Sequence, residues 1–173
     1  LRRFRATDRV RLAASLPGMA RVEFFYDFVC PYAYLAHQRI AALCARENAE
    51  LAYRPILLGG VFRAIGAPNQ PRAADAPTKQ AHAAKDLERW SKKHGMPLRF
   101  PAGHPRRTVL ALRAAIAAGE GVLPKVSAAL FRAYWHEGKD LQDEAVVRAT
   151  LDDAGVDGAA LVAAANEEPA KNA

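Results

Sequence analysis

The sequence predicts an α/β fold in which one strand–helix–strand unit is followed by a block of helices. Three observations predict it. An apolar, aromatic run from Val22 to Val29, broken only by Glu23 and Asp27, is short for a helix and rich in strand formers. From Pro31 the composition switches to helix formers, and Glu50 to Pro55 then alternates and ends in proline. From Thr78 onward, alanine-rich stretches are punctuated by Gly95, Gly119, Gly138 and Gly155, as helix ends are.

The elements follow in order. Residues 1–18 read as a disordered or non-native extension, and Met19 reads as the natural start of a domain running to Ala173. Val22 to Val29 is the first strand. Pro31 to Arg46 is a helix with Ile40, Leu43 and Cys44 on one side, and Glu50 to Pro55 is the second strand. Strand–helix–strand at this spacing predicts a right-handed parallel unit. Leu57 to Pro77, rich in Gly and Pro, is predicted to be a long loop. Helices are then predicted over Thr78–His94, Pro105–Ala118 and Leu123–His136. Two more follow, N-capped by Asp143 and Asp157 and running to Ala154 and Asn166. The helical block spans about 78–166.

Composition excludes several classes. A chain of 173 residues with 51% hydrophobic content is globular, and can bury about 70% of its unfolded surface in one core. No window reaches 18 uninterrupted apolar residues, so no membrane helix is expected. The net charge of +7 is concentrated at the start, where six arginines up to Arg21 face one acid, Asp8. Beyond Arg21 there are 19 basic and 17 acidic residues, which gives no phosphate-binding surface and no nucleic-acid partner. The five histidines, His37, His82, His94, His104 and His136, show no paired ligand spacing. No metal is expected, and most of the histidines read as surface or capping residues. Gly-rich phosphate loops and a Ser nucleophile elbow are also absent.

Chemistry concentrates at Cys30. It lies where a strand hands over to a helix N-terminus, with Pro31 at the first helical position. A thiol there feels the positive end of the helix macrodipole, which favours the thiolate. A small packed hydrophobe is the blander reading, and it fits Cys44 better. The two cysteines are 14 residues apart on one helix, about 20 Å, too far for a disulfide. A reducing compartment fits this cysteine usage, and the cytoplasmic location is implied only by the family resemblance given next.

These residues carry a resemblance. The string F-Y-D-F-V-C-P-Y-A-Y-L-A, then P-I-L-L-G-G-V-F-R-A-I-G, N-Q-P, K-D-L-E-R-W and G-M-P-L-R-F-P, resembles the 2-hydroxychromene-2-carboxylate isomerases and kappa-class glutathione transferases. The likeness runs in register over most of residues 20–166. It implies a thioredoxin-like fold of the DsbA type with a helical insertion, glutathione as cofactor, a small aromatic substrate and a homodimer. Cys30 falls on the family's catalytic position, usually serine, where a hydroxyl stabilises the glutathione thiolate. Pro31, Tyr32 and Asn69 match glutathione-contacting positions, although a Pro-flanked Asn69 would also suit a plain turn. Lys79 and His104 fall near the substrate side. The family continues with a G-V-P-T loop, a β-hairpin and a last helix, and the resemblance implies that this chain stops before them. The function implied is a glutathione-dependent isomerase of an aromatic unsaturated carboxylate. A kappa-class-like transferase, a monothiol disulfide oxidoreductase using Cys30, and an inactive remnant that pairs its open sheet edge remain open. Ala33, three residues after Cys30, removes dithiol chemistry.

Overall fold

The computed structural model describes residues 19–68, 74–168 and 170. Strand β1 (Arg21–Tyr26), helix α1 (Pro31–Arg46) and strand β2 (Glu50–Pro55) form the opening unit. The strands pair in parallel, in register from Arg21 opposite Glu50 to Tyr26 opposite Pro55. Both α1 and β2 keep their expected bounds because their signals are local: Pro31 at N1 starts the helix, and Pro55 ends the strand. β1 stops three residues before Val29. There the chain turns, with Cys30 N donating to Asp27 O at 3.0 Å and Val29 N to Asp27 Oδ1 at 3.2 Å.

The remaining elements are helical: α2 (Leu58–Ala64), α3 (Pro77–Lys93), α4 (Val109–Ala117), α5 (Leu123–Trp135), α6 (Glu144–Asp153) and α7 (Gly158–Ala165). Two expectations are corrected here. The stretch expected to be a loop from Leu57 carries α2, despite its two glycines. Asp27 supplies what local propensity lacks, since its Oδ2 accepts from Leu58 N at 2.9 Å and caps α2 from a distant element. Conversely, the helix expected from Pro105 begins only at Val109. The groups that would build its first turn are engaged elsewhere: Arg106 N donates to Tyr134 Oη and Thr108 Oγ1 to Asp27 Oδ1. Asp143 and Asp157 cap α6 and α7 as expected, accepting from Ala145 N and Ala160 N. Gly95 and Gly155, both at positive φ, close α3 and α6 in the left-handed region where a Cβ would be strained.

The core is aromatic and centred on α5. Val126, Leu130, Phe131, Tyr134 and Trp135 are buried there, facing Phe24 and Tyr26 of β1, Phe28, and Tyr34 of α1. The Phe131 ring alone lies 5.0–6.1 Å from Phe28, Tyr26, Tyr34 and His37. Truncating a side chain so enclosed costs about 3–5 kcal/mol. Two polar links fix the register of α5 on β1: Tyr26 Oη with Ser127 Oγ at 2.5 Å, and Trp135 Nε1 donating to Phe28 O at 2.8 Å. Among the described residues β1 is paired on one side only, and its Phe25 is 56% exposed.

His37 is not the surface or capping residue its sequence context suggested. It is 7% exposed, ringed by Phe24, Tyr53 and Phe131, and neither ring nitrogen finds a partner among the described residues. Burial lowers its pKa to about 4. A histidine buried neutral must be compared with an unfolded chain that takes up a proton near pH 6.5. Its folded form is therefore at no disadvantage above that pH and loses ground as pH falls through the interval down to about 4. The loss is expected to reach on the order of 3 kcal/mol. Urea midpoints at pH 7 and pH 4.5 check this, with His37→Leu as the reference. A wild-type drop no larger than that of the variant would refute it.

Candidate active site

Cys30 occupies the N-cap of α1 with extended backbone (φ −91°, ψ 114°), and Pro31 fills N1. Its carbonyl accepts from Tyr34 N at 3.1 Å, closing the first turn. The residue is half-buried, whereas Cys44 at the far end of the same helix is 4% exposed and packed. No disulfide joins them. The turn therefore places Cys30, partly buried against the core, at the end of α1 whose first-turn amides, as in any helix, lack intrahelical acceptors. Tyr32, the next side chain, is 37% exposed at the same end.

What holds this turn is Asp27, a residue the sequence marked only as an interruption in an apolar run. It is 2% exposed, and its two carboxylate oxygens take Val29 N, Leu58 N and Thr108 Oγ1, the last at 2.6 Å. One carboxylate thus ties the Cys30 turn to α2 and to the start of α4. Burial raises the Asp27 pKa, while the hydrogen bonds from Thr108 and the amides of Leu58, Val29 and Phe28 oppose the rise. With its lone pairs turned inward to these donors, Asp27 leaves the α1 N-terminus to other anions.

The other expected site residues divide. His104 lies against the Cys30 turn through Trp135: its ring is 5.2 Å from that indole, which in turn bonds Phe28 O. His104 Nδ1 is 2.9 Å from Tyr134 Oη, and Phe100 stands edge-on at 5.1 Å. Lys79 sits on the first turn of α3, exposed, with Nζ on Asp75 Oδ1 at 2.7 Å. That ion pair is local to the start of α3. Asn69 lies outside the described residues. Tyr134, Thr108 and Trp135 were not singled out from sequence, because nothing in an alanine-rich helix marks which aromatic will meet a residue 30 or more positions away.

A concavity of about 800 Å³ among the described residues lies elsewhere. It runs along α1 at Tyr34 and Gln38 and is walled by Lys125 and Arg132 of α5 and Thr150 of α6, without Cys30 or His104. Helix-end geometry, not cavity size, singles out the Cys30 turn. Among the described residues no three His, Cys, Asp or Glu side chains gather as a metal site would need, and no helix is long and apolar enough to cross a membrane.

Residues 21–173 match the DSBA-like thioredoxin domain. The chain belongs to that family. Within it, a 2-hydroxychromene-2-carboxylate isomerase of Sphingobium xenophagum is 30% identical over 140 residues, covering 81% of this chain and 71% of the relative. Glutathione S-transferase kappa 1 of Rattus norvegicus is 27% identical over 148 residues, covering 81% of this chain and 64% of the relative. A solved structure of a 2-hydroxychromene-2-carboxylate isomerase superposes with a TM-score of 0.74 at 28% identity, over 88% of this chain and 74% of that one. The DSBA-like thioredoxin fold expected from the sequence motifs is thereby shown, helical with a small parallel sheet.

Proposed function

We propose that this chain is a glutathione-dependent isomerase of an unsaturated aromatic carboxylate of the 2-hydroxychromene-2-carboxylate type. The observation that carries the reading is Cys30 at the N-cap of α1, held there by the Asp27 hydrogen bonds. It is supported by the isomerase names of relatives in the same family. The α1 N-terminus suits a sulfur anion: the helix dipole and the adjacent amides favour negative charge. Glutathione, when bound, supplies a sulfur nucleophile for reversible addition across the conjugated bond. Cys30 donates a hydrogen bond to that sulfur, and Pro31 and Tyr32 shape the wall beside it. Asn69 and Lys79 contribute to glutathione and substrate binding in this proposal, and the protein works as a homodimer in the reducing cytoplasm.

Two other readings each rest on a specific observation. Kappa-class transfer is favoured by the likeness to the rat enzyme. Monothiol redox chemistry is favoured by a cysteine where the resemblance leads one to expect serine. The deciding assay follows 2-hydroxychromene-2-carboxylate by absorbance with and without reduced glutathione. Turnover is expected only with glutathione present. Conjugation of 1-chloro-2,4-dinitrobenzene without isomerisation would move the assignment to the transferase reading.

A further inference from the structure

One face of α5 forms the floor of a trough. Lys125, Ala128, Ala129 and Arg132 stand at i, i+3, i+4 and i+7, and so share the face turned away from the buried Val126, Leu130 and Tyr134. They line the concavity of about 800 Å³, a volume in the range of small-molecule sites. Tyr34 and Gln38 of α1 stand on one side of it, and Thr150 and Asp153 of α6 on another. The two alanines leave the middle of the floor low, because neither side chain is long enough to fill the space between Lys125 and Arg132.

Charge is uneven along the trough. At the C-terminal end of α5, Glu137 accepts from Arg132 Nε at 3.0 Å and from Lys139 Nζ at 2.8 Å, on separate oxygens. Lys139, assisted by Arg132, holds the Glu137 carboxyl below its ordinary pKa. One anion there meets two cations, and Arg132 gives it only Nε. The two terminal nitrogens of Arg132 make no hydrogen bond among the described residues, and its side chain is 68% exposed. At the other end Lys125 and Asp153 supply one charge of each sign, with Lys125 Nζ donating to Gly155 O at 3.3 Å. Between the ends the walls are polar. Thr150 is buried, and its Oγ1 has no hydrogen-bond partner among the described residues, an arrangement that costs stability unless something satisfies it. The exposed Gln38 amide is likewise uncommitted among them.

We propose that the trough binds a small hydroxylated oxyanion, its phosphate or carboxylate on the Arg132 guanidinium and its hydroxyls along Gln38 and Thr150. The paired N–H donors of a guanidinium match either oxyanion. Glu137 competes for that guanidinium only through Nε, and the Lys139 ammonium offsets its charge. A neutral polar body suits the remainder, since Lys125 and Asp153 cancel at the far end and alanines form the floor. Neither Cys30 nor His104 lines the trough, so its ligand is distinct from the substrate of the proposed isomerisation.

The test is an NMR titration of the nitrogen-15-labelled full chain with glucose 6-phosphate, gluconate and glucose. At least one of the two anions is expected to give saturable shifts at the Ala128, Ala129 and Arg132 amides, and the tighter one identifies the oxyanion the trough prefers. Glucose should bind at least about tenfold more weakly, for want of the charged acceptor. Arg132→Gln should weaken the preferred anion about tenfold. Ala129→Leu, which raises the floor on the face away from the core, should abolish its binding. The amide spectra of both variants report directly that they are folded. Glu137→Gln is the control for the broken ion pair: it removes the competing carboxylate and should leave anion binding intact or tighter. No saturable shift with either anion, shifts confined to other elements, or equal affinity for glucose would overturn the proposal. So would binding that survives both Arg132→Gln and Ala129→Leu, or a loss in Glu137→Gln as large as that in Arg132→Gln.

Discussion

Asp27→Ala is expected to lower the free energy of unfolding by about 3 kcal/mol, the loss expected when three hydrogen bonds to one enclosed carboxylate are removed together. The carboxylate is the shared acceptor for Val29 N, Leu58 N and Thr108 Oγ1, and the alanine leaves all three without it. Each orphaned buried donor costs about 1–3 kcal/mol, less whatever water restores. Burial raises the Asp27 pKa, so at neutral pH its charge opposes folding. The net stabilisation comes from the hydrogen bonds, and the charge itself works against it. Asp27→Asn, which keeps one acceptor oxygen but offers an amide where a second is needed, should cost roughly half as much. Urea denaturation measures both, and at this chain length a loss of about 3 kcal/mol appears as roughly 10 °C in Tm. The damage should also be local. Exchange of the Leu58 amide should accelerate in Asp27→Asn, because α2 loses its cap. A change below about 1 kcal/mol for Asp27→Ala would mean that the three donors find water, and that the Cys30 turn is held by packing alone.

This residue also shows where the sequence stopped being legible. The bounds of α1 and β2, the caps at Asp143 and Asp157, and the placement of Cys30 and Pro31 were readable because each depends on neighbours within a few positions. Asp27 bonds to residues 31 and 81 positions away, and Tyr134 meets His104 across 30. Such contacts leave no periodicity. They also account for the misplaced elements: α2 forms where Gly59 and Gly60 argue against a helix, and α4 starts late because Arg106 and Thr108 give their hydrogen bonds to other elements. His37 was misread for a related reason, since a histidine on an alanine-rich helix carries no sign of whether its face meets solvent or Phe131. His104 was singled out through the motif resemblance alone, and the contact that joins it to the Cys30 turn, through Trp135, has no local signature in the sequence.

Substitution at Cys30 is expected to separate the two chemistries that its thiol permits. In the isomerase reading the side chain needs only to donate a hydrogen bond to a bound sulfur anion. Cys30→Ser keeps that donor and should retain turnover within about threefold, while Cys30→Ala should lose roughly a hundredfold, the typical cost of one donor to a developing or held anion. In the redox reading, the Cys30 thiolate attacks a disulfide, forms a mixed disulfide and expels the second thiol, so a serine hydroxyl abolishes the reaction. Release of that mixed disulfide would then need a second thiol from solution. Ala33 stands where a resolving cysteine would be, and Cys44 is buried at the far end of α1. These facts favour the hydrogen-bonding role. The comparison is made on the three folded proteins, assayed in parallel for isomerisation with reduced glutathione and for reduction of a glutathione mixed disulfide. Retained isomerisation in Cys30→Ser, with little disulfide reductase activity in the parent, is the expected pair of results. Loss of all activity in a folded Cys30→Ser, together with reductase activity in the parent, would overturn the isomerase assignment and make Cys30 a redox nucleophile.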